Sequence, residues 1–140
     1  MRMTRKAPGQ ALIEFALVLP LLVLLIFGLF DLGWAIYANN TIANAAREGA
    51  RLAIVSPTIN NDANVKQRVI AAAAGLNLGN SQISIAPAFS SRTINSPITV
   101  TVTYTYTPFT PVIGKIVAGN GMLLQATSVM ISEGVIPVSP

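Results

Sequence analysis

The hydrophobic pattern of the chain is dominated by one apolar run near the N-terminus. Sixteen uncharged residues, FALVLPLLVLLIFGLF, lie between Glu14 and Asp31. Apolar residues continue on both sides, so that residues 11–38 form a stretch of 28 residues, about 42 Å long as an α-helix. Because about 20 residues cross the hydrocarbon core of a bilayer, the pattern predicts a transmembrane helix at about 11–38, with Trp34 and Tyr37 as interfacial aromatic residues.

A second pattern predicts that the same helix continues beyond the membrane. Small or apolar residues recur at alternating intervals of three and four, a spacing typical of a packed helix face. They are Ala35, Ala38, Ile42, Ala45, Gly49 and Leu52. Proline disfavours helix in the residue before it, so Ser56-Pro57 predicts the end. We therefore predict one helix over residues 10–55, whose first half lies in lipid and whose second half supports a domain.

Residues 56–140 have the pattern of a small mixed domain. Asn61 or Asp62 is suited to cap a helix that runs through Ala74. Alternating apolar residues predict a short strand around 83–85, a clear strand over 98–107 and a last strand over 122–132. The predicted fold class is α+β: a long N-terminal helix packed on a small antiparallel sheet of three or four strands, with one extra helix.

The clear strand carries two tyrosines whose role has two interpretations. Tyr104 and Tyr106 lie on the same face as Ile98, Val100 and Val102, and threonines fill the opposite face. We expect both rings to be core residues with hydroxyl groups in water, rather than an exposed aromatic binding stripe.

Composition excludes most catalytic chemistry. The chain is 52% hydrophobic and only 10% charged, and it contains neither cysteine nor histidine. Disulfides, thiolate nucleophiles, histidine general bases and Cys/His zinc sites are therefore excluded. The five carboxylates, widely spaced, are Glu14, Asp31, Glu48, Asp62 and Glu133. We expect no enzyme activity, no cofactor and no metal site.

The distribution of charge indicates a membrane orientation rather than a nucleic-acid surface. Of nine basic residues, Arg2, Arg5 and Lys6 precede the apolar run, and the net charge is +4. Basic residues favour the cytoplasmic side of a membrane. We therefore predict a single-pass protein of the cytoplasmic membrane, with its N-terminus inside and residues 56–140 outside, and no nucleic-acid partner.

Two residues do not fit a simple membrane anchor. Pro20 leaves the Ala16 carbonyl without its usual partner, which favours a kink or local unwinding, although membrane helices tolerate proline. Glu14 is costly, since a carboxylate at the bilayer centre costs about 2.5–3.5 kcal/mol on insertion scales. From position alone, Glu14 is either a residue at the headgroup boundary or a functional charge within the membrane.

The residues around Glu14 resemble a prepilin processing site of the type IV pilin superfamily. A short basic leader ends at Gly9, four residues follow, and Glu14-Phe15 then lies inside the apolar helix. Over residues 8–53 the chain also resembles the TadE-like family, minor pseudopilins of tight-adherence (Flp) pilus systems. The residues that carry this resemblance are Gly9, Glu14, Phe15, Pro20, Asp31 and the stretch AAREGAR at 45–51.

This resemblance implies a processed subunit of a pilus assembly and secretion system. A prepilin peptidase would remove leader residues 1–9 by cutting after Gly9, so that Gln10 carries a new ammonium group. Glu14 would neutralise that group, and with Phe15 and Pro20 it would help helices align during assembly. The implied partners are the peptidase, other pilins or pseudopilins, inner-membrane platform proteins and the lipid bilayer.

Four charged residues farther along the helix are candidate partner contacts: Asp31, Arg47, Glu48 and Arg51. For Glu48 and Arg51 the simpler interpretation is an exposed i,i+3 ion pair, worth a few tenths of a kcal/mol. Asp31 either marks the outer lipid boundary or meets a basic residue of a partner.

Two other functions remain open on the sequence. The chain could be an uncleaved single-pass anchor for a surface binding domain. It could also be a secreted protein, since Ala43-Asn44-Ala45 resembles an A-x-A signal cleavage site. The first residue of the mature protein separates the three functions: Gln10 for the pseudopilin, the original N-terminus for the anchor, and Ala46 for the secreted protein.

Overall fold

A computed structural model describes residues 8–55, 61–110, 114–115 and 121–132. The leader up to residue 7, its basic side chains and the predicted tail at 135–140 lie outside these ranges. The first element is helix α1, Pro8–Val55, which has 48 residues and remains helical through Pro20. The predicted long helix is therefore confirmed, and its helical assignment shows no unwinding at the proline.

A short second helix follows α1. Helix α2 spans Asp62–Ala72, and the side chain of its N-cap Asn61 accepts a hydrogen bond from the Asn64 amide at 2.9 Å. Asparagine is a favoured N-cap because its side-chain oxygen satisfies a free amide of the first turn. Ala73 is the C-cap, and Gly75 follows with a φ of +92°, where a side chain would be strained.

Three strands form one antiparallel sheet in the order β1-β2-β3. They are β1 (Ile83–Ala86), β2 (Pro97–Tyr106) and β3 (Met122–Ile131). In the register, Val100 of β2 lies opposite Ile85 of β1 and Ser128 of β3. The predicted α+β class is confirmed, and so is the face of β2 that carries Ile98, Val100 and Val102, all fully buried.

The core lies between the second half of α1, helix α2 and the inner face of the sheet. On the predicted face of α1, Ala38, Ile42, Ala45 and Gly49 are buried, whereas Ala35 and Leu52 are half-buried. A Cβ built on Gly49 would lie 2.4 Å from Cγ2 of Val69. Small residues on α1 therefore let α2 pack almost directly against the helix backbone.

The first half of α1 has no such covering. Its most apolar 18-residue window is not buried by the other described parts of the chain, and its length and composition fit a single-pass membrane protein. Side chains are exposed from Gly9 to Phe27 and at Leu29 and Phe30, whereas Asp31 is buried. One continuous helix thus has a bare apolar half and a half packed into the domain.

Candidate functional site

The bare and packed halves of α1 meet at Asp31, which is only 4% exposed. Its Oδ1 accepts hydrogen bonds from the Tyr106 hydroxyl at 2.9 Å and from the Phe109 amide at 2.8 Å. Its Oδ2 accepts one from the Thr110 amide at 3.0 Å and another from the Thr110 hydroxyl. Four donors from the end of the sheet therefore hold one carboxylate of the helix.

Local sequence explains how these donors reach the helix. Strand alternation keeps Tyr106 on the core face that begins at Ile98, so the last side chain of β2 points at α1. Pro108 cannot donate to a sheet and ends the strand. The chain then turns so that two successive amides, of Phe109 and Thr110, face the carboxylate. We call this arrangement of Asp31, Tyr106, Phe109 and Thr110 the Asp31 junction.

One expectation about these residues needs correction. Asp31 remains a predicted partner contact, and both of its carboxylate oxygens are bonded within its own chain. Tyr106 is indeed a core residue, at 3% exposure, but its hydroxyl donates to Asp31 instead of reaching water. Neither outcome could be predicted, because the partners lie 75 to 79 residues apart in sequence.

Burial and the neighbouring carboxylate change the acidity of Tyr106. Desolvation, followed by the hydrogen bond to Asp31, raises the pKa of its phenol to about 12 from an ordinary value of 10.0. The neutral phenol is therefore strongly preferred in the folded protein, where it acts as a donor at any physiological pH.

A second carboxylate on α1 connects the helix to α2. Glu48 pairs with Arg51 at 3.4 Å, as the i,i+3 spacing predicts, and also with Arg68 of α2 at 3.0 Å. The hydrogen bond from Arg68 holds the pKa of Glu48 below its usual value. These side chains line a shallow surface cleft with Leu52 and Val55, whereas Arg47 is simply exposed.

An ion pair that the sequence did not predict fixes the start of α2. Asp62 pairs with Arg92, whose side chain is fully buried and stacks over the Phe89 ring at 5.7 Å. Asp62 also accepts the Phe89 amide at 3.1 Å. The residues are 27 to 30 positions apart, so no local motif indicated the pair. The ion pair has a structural role, because it holds the loop after β1 against α2.

The predicted processing and assembly residues lie at the opposite end of α1. Gly9, Gln10, Glu14, Phe15 and Pro20 are all exposed, and Gln10 Nε2 donates to Glu14 Oε1 at 3.3 Å. Asp31 lies seventeen positions after Glu14, about 25 Å along a helix. The structure thus has two separate sites: an exposed acidic residue near the start of the apolar helix, and the Asp31 junction at its end.

Aromatic residues flank the junction. Trp34 and Tyr37 are one turn apart with ring centroids 5.4 Å apart, and the Tyr37 hydroxyl donates to the Ala74 carbonyl at 3.4 Å. Among the residues that the structure describes, no three Asp or Glu side chains come together as a metal site. The contacts of the junction position α1 and attach it to the sheet.

In the comparison with known protein families, one matching segment covers both the apolar half of α1 and most of its packed half. Residues 9–51 match the family model described as TadE-like protein. This segment is TadE-like. The resemblance inferred from Gly9, Glu14 and Pro20 is confirmed over those residues. No curated protein and no solved structure matches the chain.

The TadE-like segment contains every carboxylate of α1, whereas several of the groups that bind Asp31 and Glu48 lie beyond it. It ends at Arg51, before Arg68, Tyr106, Phe109 and Thr110. The match suggests a pilus-associated component of a tight-adherence system, and the outer domain adds the contacts that hold that helix.

We predict that Asp31→Ala destabilises the domain by about 2–4 kcal/mol, because buried donors lose a charged acceptor. Denaturant unfolding in detergent, followed by the fluorescence of the single tryptophan, measures this change. Glu48→Ala is the matched control, since it removes a carboxylate from the same helix whose partners are exposed arginines, and its loss should be much smaller. Equal losses in the two variants would contradict the dominant role of the junction.

The raised pKa of Tyr106 predicts that the free energy of unfolding falls as pH rises from about 10 to 12. The reason is that the unfolded chain releases the phenol proton at a lower pH than the folded chain. Ultraviolet titration of the three tyrosines should show one late tyrosinate transition near pH 12. Tyr106→Phe should remove that late transition, and Tyr104→Phe should retain it. A late transition that survives in Tyr106→Phe would show that another group causes it.

Proposed function

We propose that this protein is a minor pseudopilin-like subunit of a tight-adherence pilus assembly and secretion system. It crosses the cytoplasmic membrane once, with its N-terminus inside and its α+β domain outside. The observation that carries the proposal is that the TadE-like match coincides with a bare apolar helix ending at a packed domain. The role is structural, so the peptidase that processes the chain acts in trans.

The pairing of the carboxylates supports an assembly role for Glu14. In the described part of the chain, Asp31 is bonded to four donors, and Glu48 and Asp62 are each paired with arginine. Among the residues that the structure describes, Glu14 accepts a hydrogen bond from the neutral Gln10 amide. A carboxylate at the start of an apolar helix with such a neutral neighbour is suited to receive a positive charge.

Cleavage after Gly9 would create that charge. The backbone nitrogen of Gln10 would become an ammonium group one helical turn from Glu14. Opposite charges in a poorly solvated setting offset part of their desolvation cost and disfavour misaligned packing. The same ammonium group on a neighbouring, staggered helix would define the register between subunits. Gly9, Gln10 and Glu14 therefore form one proposed processing and assembly site, with Phe15 and Pro20 on the same exposed helix.

The secreted alternative conflicts with the packing of the domain. Signal cleavage after Ala45 would detach Ala38 and Ile42, which are fully buried in the core, together with Asp31. The remaining chain would expose the inner face of the sheet and leave the Tyr106 hydroxyl without its acceptor. The uncleaved anchor keeps all of these contacts and is the alternative that the following experiment separates.

We expect N-terminal sequencing of the native protein, co-expressed with a prepilin peptidase, to begin at Gln10. Gly9→Val should block processing, because a branched side chain would crowd the peptidase at the cut. A Cβ at Gly9 meets no atom within 4 Å, so the substitution should leave the fold unchanged. Gly33→Val is the matched control, since Gly33 is equally unobstructed in the same helix, and it should be processed normally.

The proposal is wrong if the protein retains its leader in an active assembly system. A native chain that keeps residues 1–9 would identify an uncleaved anchor, and a start at Ala46 would identify a secreted protein. Normal processing of Gly9→Val would show that glycine is not needed at the cut.

We predict that Glu14→Leu and Glu14→Gln are processed and inserted but lose co-purification with other pilus components, because the new ammonium group no longer has a carboxylate partner. Glu14→Asp should retain part of the interaction, since it keeps the charge on a shorter side chain. Glu48→Gln is a control on the same helix and should co-purify normally. Unchanged co-purification of Glu14→Leu would leave Glu14 as a residue of the headgroup boundary.

A further inference from the structure

One of the most exposed large apolar side chains lies on a loop of the outer domain, beside the helix. Phe109 is 80% exposed, although it follows a buried strand and is close to the buried Asp31. Together with Phe27, Phe30 and Trp34 of α1 it lines a cleft made of aromatic side chains. We call these four residues the aromatic foot.

The exposed ring is held by an ordered backbone. The Phe109 amide donates to Asp31 Oδ1 at 2.8 Å, and the following amide donates to Oδ2 at 3.0 Å. Pro108, just before it, has a restricted φ. The Asp31 junction therefore fixes the loop and presents the Phe109 ring outward, at the cost of exposing a large apolar surface.

The level of Phe109 along α1 matches the expected edge of a bilayer. Residues 12–30 are the 19 residues between the first exposed leucine and the buried aspartate, and they measure about 28 Å as a helix. The hydrocarbon core of a bilayer is about 30 Å thick. If this segment fills the core, Asp31 and the foot lie at its outer edge.

The direction of the sheet gives the same result. Strand β2 ends at Tyr106, beside Asp31, and has 10 residues, so its Pro97 end lies about 30 Å farther from the membrane. The loop with Phe109 is therefore the part of the domain turned toward the bilayer. Asp31 itself lines a second cleft, whose other lining residues are uncharged and include Pro108, Met122 and Leu32.

We infer that the aromatic foot is a second membrane contact, in which Phe109 inserts into the outer leaflet where headgroups and acyl chains meet. This inference rests on the membrane-spanning helix of the proposed function. Lipid is the partner because the foot is continuous with the bare apolar helix and lies at its outer end. Aromatic side chains also favour this interfacial layer. The contact would set how deeply the helix is seated and hold the Phe109 end of the domain against the membrane surface.

Tryptophan fluorescence in vesicles tests the inference on the full chain. The protein contains a single tryptophan, Trp34, so Trp34→Phe provides a silent background for Phe109→Trp. The variants are reconstituted in phosphatidylcholine vesicles and in the same lipid with bromine atoms near the headgroup end of one acyl chain. Phe109→Trp retains the backbone donor to Asp31, and circular dichroism checks that its fold is unchanged.

The matched control is Ile94→Trp in the same background. Ile94 is also an exposed apolar loop residue, at 62%, but it precedes the Pro97 end of β2, far from the proposed membrane surface. We expect the tryptophan introduced at position 109 to emit at a shorter wavelength than the one at position 94. It should be quenched by brominated lipid as strongly as native Trp34. The tryptophan introduced at position 94 should emit like a water-exposed indole and remain unquenched.

The quenching of native Trp34 distinguishes failure of the aromatic foot from failure of the membrane-spanning helix. If Trp34 is quenched but the tryptophan at position 109 is not, the helix is inserted and the aromatic foot is wrong. If Trp34 is also unquenched in the wild-type protein, the membrane-spanning helix of the proposed function fails as well. Equal quenching at positions 94 and 109 would mean that the whole domain lies on lipid, which overturns a contact localised at Phe109.

Discussion

The structure depends on how one carboxylate is satisfied at the end of an apolar helix. Asp31 follows a bare hydrophobic segment, where an ionised group without partners is expensive. Two backbone amides and two hydroxyl groups surround it, all from the stretch that ends β2. Because each donor belongs to the domain that packs on α1, the carboxylate can be buried only when the domain is docked on the helix. The position of the domain along α1 is therefore coupled to the pairing of Asp31.

The same helix meets two different requirements along its length. Its first half presents large side chains such as Leu21 and Phe30 to the surroundings, whereas its second half presents Ala38, Ala45 and Gly49 to the sheet and α2. Large residues provide apolar surface for lipid, and small residues allow close approach of other elements. Because α1 is one continuous helix, no linker separates its bare apolar half from the half that packs into the domain.

The contacts of the carboxylates also differ between the packed domain and the bare half of α1. Asp31, Glu48 and Asp62 each stabilise an attachment inside the domain: helix to sheet, α1 to α2, and α2 to the loop after β1. Glu14 lies outside that set, with the Gln10 amide as its contact. A protein that used all of its acidic residues for its own folding would not need Glu14 in the apolar helix. Under the proposed function, Glu14 pairs with a positive charge that arrives from processing or from another subunit.

Local periodicity in the sequence by itself determined the elements and their faces. The apolar run and the three-four spacing of Ala38, Ile42 and Ala45 predicted α1, and strict alternation predicted the buried face of β2, because both patterns act over a few residues. The TadE-like segment was likewise evident from Gly9, Glu14 and Pro20. The tertiary structure alone decided that Tyr106 donates to Asp31, that Arg68 joins Glu48, and that Phe109 is exposed beside Trp34. These contacts join residues 20 to 75 positions apart, and they depend on where the chain returns to the helix, which no short-range pattern encodes.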